Sequence, residues 1–142
     1  MAPLQYWLIK SEPSVYAYSQ LEADGHTAWT GIRNFEARNN LRSMRPGDLC
    51  LYYHSNEGKA VVGVARVLAA AQEDPTAPGE NWAAVDVEPV VAFRAPVTLA
   101  FLKADPDFAE LKLITRSRIS VVDVTKSHFT SIVKLWKAKL PR

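Results

Sequence analysis

Lys10 and Glu12 stand two residues apart at the end of the run Tyr6-Trp7-Leu8-Ile9, a spacing that sends both side chains to one side of an extended strand. Brought together there, they could lower the lysine pKa or act as an acid/base couple, or form an ordinary ion pair at a strand end. Trp29 lies in the polar, glycine-containing run Trp29-Thr30-Gly31. A large ring in such a place is either a plug closing the end of a barrel or a wall against which a flat ligand stacks, a contact worth about 1–3 kcal/mol per base. Trp82 opens a strand directly after the 74–79 loop and offers a second wall. Arg33, Arg38, Arg42 and Arg45 are interleaved with Asn34, Asn39 and Asn40. Their forked guanidinium groups suit a phosphate backbone, and equally suit internal clamps on carboxylates such as Glu12. His26, His54, His128 and Cys50 are scattered without metal-ligand spacing, so no metal is expected. Phosphate loops, GxGxxG and GxSxG are missing, and no cofactor or nucleophile set is expected.

These residues need elements to hold them. Tyr6 to Lys10 reads as a strand that ends at Ser11-Glu12-Pro13, because proline lacks a donor and restrains the residue before it. Ser19-Gln20-Leu21-Glu22 has capping-box spacing and Gly25 follows, which predicts a short helix. Trp29-Thr30-Gly31 then falls in a loop. From Asn34 to Met44 the apolar Ala37, Leu41 and Met44 repeat at helical spacing, and the spacing of four and three places Arg38, Arg42 and Arg45 on one side. Leu49 to His54 and Val61 to Leu68 read as antiparallel strands joined by the turn Ser55-Asn56-Glu57-Gly58, with Gly63 marking a bulge or a close backbone approach. Trp82 to Phe93 is a long strand bent at Glu88-Pro89, and the stretch from Pro96 to Phe108 reads as short helical turns and loop. Ile119 to Val124 is a further strand. Thr125 caps a last helix whose Phe129, Ile132, Val133, Trp136 and Leu140 form a stripe, with Lys126, Lys134, Lys137 and Lys139 mostly off it. Five or six strands with short connections and a few short helices imply an α+β domain on a small curled sheet or barrel, its mouth the natural pocket.

The 142 residues fit one domain, residues 1–142, and 48% hydrophobic with 23% charged residues excludes disordered, coiled-coil and collagen-like classes. No apolar run approaches a membrane span and no signal peptide leads the chain, so a soluble cytoplasmic protein without membrane contact is expected. A single cysteine, Cys50, forms no internal disulfide. The net charge of +2 is unevenly spread: residues 61–110 carry three basic against eight acidic residues, and residues 111–142 carry eight against one. One acidic and one basic face can orient a nucleic acid at small net charge, although a solvated basic helix accounts for the tail equally well.

The strings Tyr6-Trp7-Leu8-Ile9-Lys10-Ser11-Glu12-Pro13, the run from Trp29-Thr30-Gly31-Ile32-Arg33-Asn34 through Ala37-Arg38-Asn39-Asn40-Leu41-Arg42, Tyr52-Tyr53-His54-Ser55-Asn56, Asp74-Pro75-Thr76-Ala77 and Ser117-Arg118-Ile119-Ser120-Val121 together resemble the EVE domain family, in order, from residue 6 to about residue 136. Asp123 stands where that family commonly has proline. The resemblance implies a PUA-like pseudo-barrel of five to six mostly antiparallel strands with short peripheral helices, a fold shared with YTH and SRA domains. It also implies a non-catalytic module that recognises a modified base: a modified cytosine such as 5-methylcytosine in DNA, or a modified base in RNA. By local likeness to YTH readers, Lys10, Ser11 and Glu12 face the base edge, Trp29 is a cage wall, and Tyr53 and Ser55 end the facing strand. Trp82 is the second candidate wall. The backbone-binding set is then Arg33, Arg38, Arg42, Arg45 and Arg118. Two rivals stand beside this reading. Related ASCH domains include small amidohydrolases that deacylate a cytidine with Lys, Glu and Thr, of which Lys10 and Glu12 supply two and the sequence assigns no Thr. A small-molecule or protein-interaction module would use the same pocket without nucleic acid. Oligomeric state is not legible in the sequence.

Overall fold

A computed structural model describes residues 4–138. The elements run β1 (Tyr6–Ser11), α1 (Pro13–Tyr16), α2 (Tyr18–Asp24), β2 (Thr27–Trp29), α3 (Phe35–Ser43), β3 (Leu49–His54), β4 (Ala60–Val67), β5 (Gln72–Glu73), β6 (Ala83–Thr98), α4 (Leu99–Ala104), a 3-10 turn (Pro106–Phe108), α5 (Lys112–Thr115), β7 (Val121–Val124) and α6 (Lys126–Ala138). The strands form one curled, half-barrel sheet in the order β2-β6-β4-β3-β1-β7, with β5 paired to β6. Among the described residues β1 and β3 run parallel and every other pairing is antiparallel.

Alternation along the strands sorts the apolar residues onto two faces. On one face Trp7 and Ile9 of β1 and Tyr52 of β3 meet Tyr18 and Leu21 of α2, Trp29 of β2, and the Ala37-Leu41-Met44 stripe of α3. On the other, Leu8, Leu51 and Tyr53 meet Phe93 and the Phe129, Ile132 and Trp136 face of α6. Trp7 is fixed by a buried polar anchor: its Nε1 donates to Asp48 Oδ2 at 3.0 Å, and Asp48 also accepts from the backbone N–H groups of Gln5 and Arg45. Asp48 thus satisfies three donors around the turn before β3, which accounts for a buried carboxylate there.

Several boundaries differ from the sequence expectation. The Ser19 capping box does not form: α2 begins at Tyr18 with Ala17 as N-cap and no side-chain cap, so Ser19 lies inside the helix. Gly25 does close that helix, at φ +82° with its N–H on Leu21 O. Trp29 is not in a loop but ends β2, paired with Val85. β6 runs on to Thr98 through Pro96. Proline is tolerated there because Val61 pairs with Val97 and Gly63 with Ala92, which leaves residues 93–96 outside the β4 ladder. The side chain of Lys137, and Lys139 and Leu140 entirely, lie outside the described residues.

Candidate functional site

The end of β1, the start of α1 and the segment after β2 enclose two adjoining depressions of about 300 and 250 Å³. Ser11, Val15, Trp29 and Thr30 line both; Lys10, Glu12 and Arg33 line the larger and Tyr16 the smaller. Volumes at or below the lower end of small-ligand pockets suit one planar ring better than an extended molecule. The polar rim is held from outside. Lys10 Nζ donates to Ser117 O at 2.8 Å, and partial burial lowers its pKa. Asn56 donates to the Glu12 carboxylate. Lys10 and Glu12 therefore share a rim without forming an ion pair with each other.

Beneath the cleft lies an aromatic cluster. The Trp29 ring meets Tyr52 edge to face at 5.4 Å and Tyr16 at 6.3 Å, and Tyr52 meets Tyr18 at 5.1 Å and His54 at 5.8 Å. Two of the tyrosine hydroxyls are engaged locally: Tyr52 donates its hydroxyl to Tyr16 O at 2.6 Å, and the Tyr18 hydroxyl is shared between Val64 O and Val91 O. Burial pushes the Tyr18 pKa up to about 12 and raises that of Tyr52. His54 Nε2 accepts from Tyr18 N at 3.1 Å, which requires the neutral ring, and burial lowers its pKa in the same direction. Gly63 is the reason Tyr18 fits. A Cβ there would come within 2.7 Å of the Tyr18 ring and 2.9 Å of Val91 O.

Asp74 locks the far wall. Its fully buried carboxylate accepts from Gly31 N at 2.9 Å, Arg33 Nη1 at 3.1 Å, and both the N–H and hydroxyl of Thr76. Desolvation by itself would raise its pKa, but the hydrogen bonds from Thr76, Gly31 and Arg33 outweigh it and hold the group well below the usual carboxylate range. Arg33 is thus an internal clamp on Asp74 rather than on Glu12. It also donates to Thr76 Oγ1, and its guanidinium lies 5.6 Å from the Trp82 ring.

Trp82 does not face Trp29. It stacks on Phe35 at 5.3 Å and 15°, and Arg38 lies 5.0 Å from the Phe35 ring centre and 5.8 Å from that of Trp82. Arg38 donates to Asn39 Oδ1, and both Arg38 and Arg42 reach Asn81. Arg45 lies beyond the end of α3, so the helical spacing that would align it with Arg38 and Arg42 is broken. Arg45 and Arg118 are exposed, with no side-chain hydrogen bond or ion pair among the described residues. Tyr53 faces away from Trp29 into the other core, and the β3 ring set against Trp29 is Tyr52. Ser55 lines neither depression; its N–H donates to Ser11 O at 3.0 Å. Part of the basic tail is neutralised internally, Lys112 by Asp123 at 2.7 Å and Arg116 by Glu36. Tyr52, Asp74 and Phe35 were not among the sequence candidates. Phe35 had a signal, since it falls opposite the Ala37-Leu41-Met44 stripe, where an aromatic side chain has no core to enter.

Among the described residues no group of three or more His, Cys, Asp or Glu side chains could hold a metal ion, and no helix is long and apolar enough to cross a membrane. The curled half-barrel sheet with a few short helices gives the protein a PUA-like α+β fold. The chain belongs to the EVE domain family, whose pattern matches residues 5–135. Rpa0253 from Rhodopseudomonas palustris superposes with a TM-score of 0.90 at 41% identity over 97% of each chain. Chicken thymocyte nuclear protein 1 is 30% identical across 94% of this chain and 69% of its own. Human THYN1, solved in complex with 5-methylcytosine-containing DNA, superposes with a TM-score of 0.87 at 29% identity over 96% of this chain and 99% of that one. At the level of fold alone, the YTH domain of Zygosaccharomyces rouxii MRB1 aligns with a TM-score of 0.61 at 22% identity, over 96% of this chain and 90% of that one.

Proposed function

We propose that this EVE domain binds nucleic acid and holds one modified nucleobase, in the first instance a modified cytosine of DNA, in the Trp29 cleft. The observation that carries the reading is the pairing of an indole wall with a polar strand end. Trp29 meets the π face of a base, and Lys10, Ser11 and Glu12 present donors and acceptors to its edge. Complex formation between human THYN1 and 5-methylcytosine-containing DNA supports it. A base in a duplex must be flipped out at a cost of a few kcal/mol, and stacking in the cleft offsets that cost. Arg45 and Arg118, exposed and without a side-chain partner among the described residues, serve as phosphate contacts. The test is a binding screen with single-stranded and duplex DNA and RNA oligonucleotides carrying a panel of modified cytosines and adenines. Tighter binding to an oligonucleotide carrying a modified cytosine is expected; equal affinity across the panel contradicts the reading.

A second reading has one specific observation behind it. Thr30 lines the same depression as Lys10 and Glu12, completing the Lys, Glu and Thr types of the cytidine-deacylating ASCH domains. Against it, Lys10 Nζ is engaged by Ser117 O and Glu12 by Asn56, so neither is held by the other for proton transfer. Multiple-turnover release of acetate from N4-acetylcytidine, abolished by Lys10→Ala, would establish the hydrolase in place of the reader.

A further inference from the structure

The Phe35–Trp82 stack has no role in the core. Phe35 is 66% exposed, the half-buried Trp82 ring lies beneath it, and neither belongs to a buried cluster. The Arg38 guanidinium stands 5.0 and 5.8 Å from two ring centres that are themselves 5.3 Å apart. Those three distances place it beside the stack, not across the outer face of Phe35. Charge distinguishes Arg38 and Arg42 from Arg33 and Arg116, and being oriented distinguishes them from Arg45 and Arg118, unattached among the described residues. Arg33 is neutralised by Asp74 and Arg116 by Glu36, but Arg38 and Arg42 are held by the neutral oxygens of Asn39 and Asn81. Two positively charged groups, oriented by the protein and left without a counter-charge among the described residues, thus flank an open aromatic face.

We propose that this stack is a second nucleic-acid contact, on which a base of the strand flanking the one in the Trp29 cleft stacks, with Arg38 and Arg42 meeting its phosphates. The proposal rests on the reading of the cleft as a base site. Arg33 joins the two places, since it lines the cleft and also lies over Trp82. Trp29 and Phe35 are six positions apart, at most about 20 Å of extended chain, so one strand can reach both. A π face and uncompensated arginines are what single-stranded nucleic acid uses without regard to sequence, since every base has a face to stack. The contact therefore adds affinity and not selectivity.

The test is fluorescence anisotropy on the full chain with single-stranded DNA carrying one modified cytosine or its unmodified counterpart, for wild type, Phe35→Ala and Phe35→Tyr. Phe35→Ala is expected to weaken both DNAs about 5- to 100-fold with their ratio unchanged, and Phe35→Tyr to restore binding. Abasic replacement of the nucleotides flanking the cytosine should remove the difference between wild type and Phe35→Ala. Wild-type affinity in Phe35→Ala, or a change only in the modified-to-unmodified ratio, overturns the platform while leaving the cleft reading standing. A wild type that shows no preference for modified cytosine while Phe35→Ala still weakens both DNAs overturns the cleft reading and leaves the platform standing.

Discussion

The cleft and the platform are both aromatic, and they are built in opposite ways. Trp29 is 7% exposed, packed edge to face on tyrosines whose hydroxyls are engaged, and walled by a segment that Asp74 fastens through Gly31 N and Arg33 Nη1. Phe35 is open, rests on one ring, and is flanked by arginines tied only to neutral oxygens. A preorganised, enclosed ring can discriminate, because a misfit ligand leaves polar groups unpaired. An open ring beside charge accepts any flat partner. On the proposed reading discrimination belongs to the cleft and affinity to the platform, and in the cleft the groups that would select a ligand also hold the fold together.

That coupling gives the largest expected difference. Trp29→Ala should cost about 3–5 kcal/mol of stability through loss of a buried ring, whereas Phe35→Ala should stay within about 0.5 kcal/mol; parallel chemical denaturation of the two variants checks this, and equal losses would erase the contrast. Next is Asp74→Asn, which retains shape but weakens the anchor of Gly31 and Arg33 and should cost about 2–3 kcal/mol. The carboxylate's folded pKa lies below its unfolded value of about 3.9, so its stabilisation is fully present above that pH and is lost as pH falls towards the folded value. Thermal unfolding between neutral pH and pH 3 should show the loss in wild type and a flatter profile in Asp74→Asn. Gly63→Ala should cost about 1–3 kcal/mol by driving a Cβ into the Tyr18 ring. Because Tyr18 supports Tyr52 beneath Trp29, it should also reduce modified-base discrimination and leave salt dependence intact. The smallest effect belongs to Arg45→Ala: unchanged stability, unchanged discrimination, and a log K against log salt slope reduced in magnitude by about 0.7–0.9, read from titrations at several salt concentrations.

The strongly patterned parts of the fold were legible in the sequence. The Ala37-Leu41-Met44 stripe packs as its spacing requires, Gly63 marks a close approach, and Thr125 accepts from His128 N to cap α6. What failed did so where pattern is short or ladders are irregular. A three-residue strand such as β2 has no periodicity to read, so Trp29 looked like a loop residue. The alternation of β3 puts Tyr52, not Tyr53, against Trp29, which the sequence does not show until the face of β3 that meets β2 and α2 is known. Of the candidate site residues, Lys10, Ser11, Glu12, Trp29 and Arg33 come together because one strand end and one following segment carry them. Trp82 is brought instead to Phe35, and Asp74, which fastens the wall from 41 positions beyond Arg33 in sequence, has no local signal beyond the Asp74-Pro75-Thr76 turn.

The central claim is that the cleft, not the platform, selects the base. The four tryptophans allow it to be tested in one experiment: an indole N–H spectrum of the 15N-labelled chain titrated with 5-methyl-2′-deoxycytidine, with 2′-deoxycytidine as reference. The Trp29 resonance should shift with the modified nucleoside, and shift less with the unmodified one, while the Trp82 resonance responds to both alike. A Trp29 signal indifferent to both nucleosides, with a modification-dependent shift at Trp82, would contradict it.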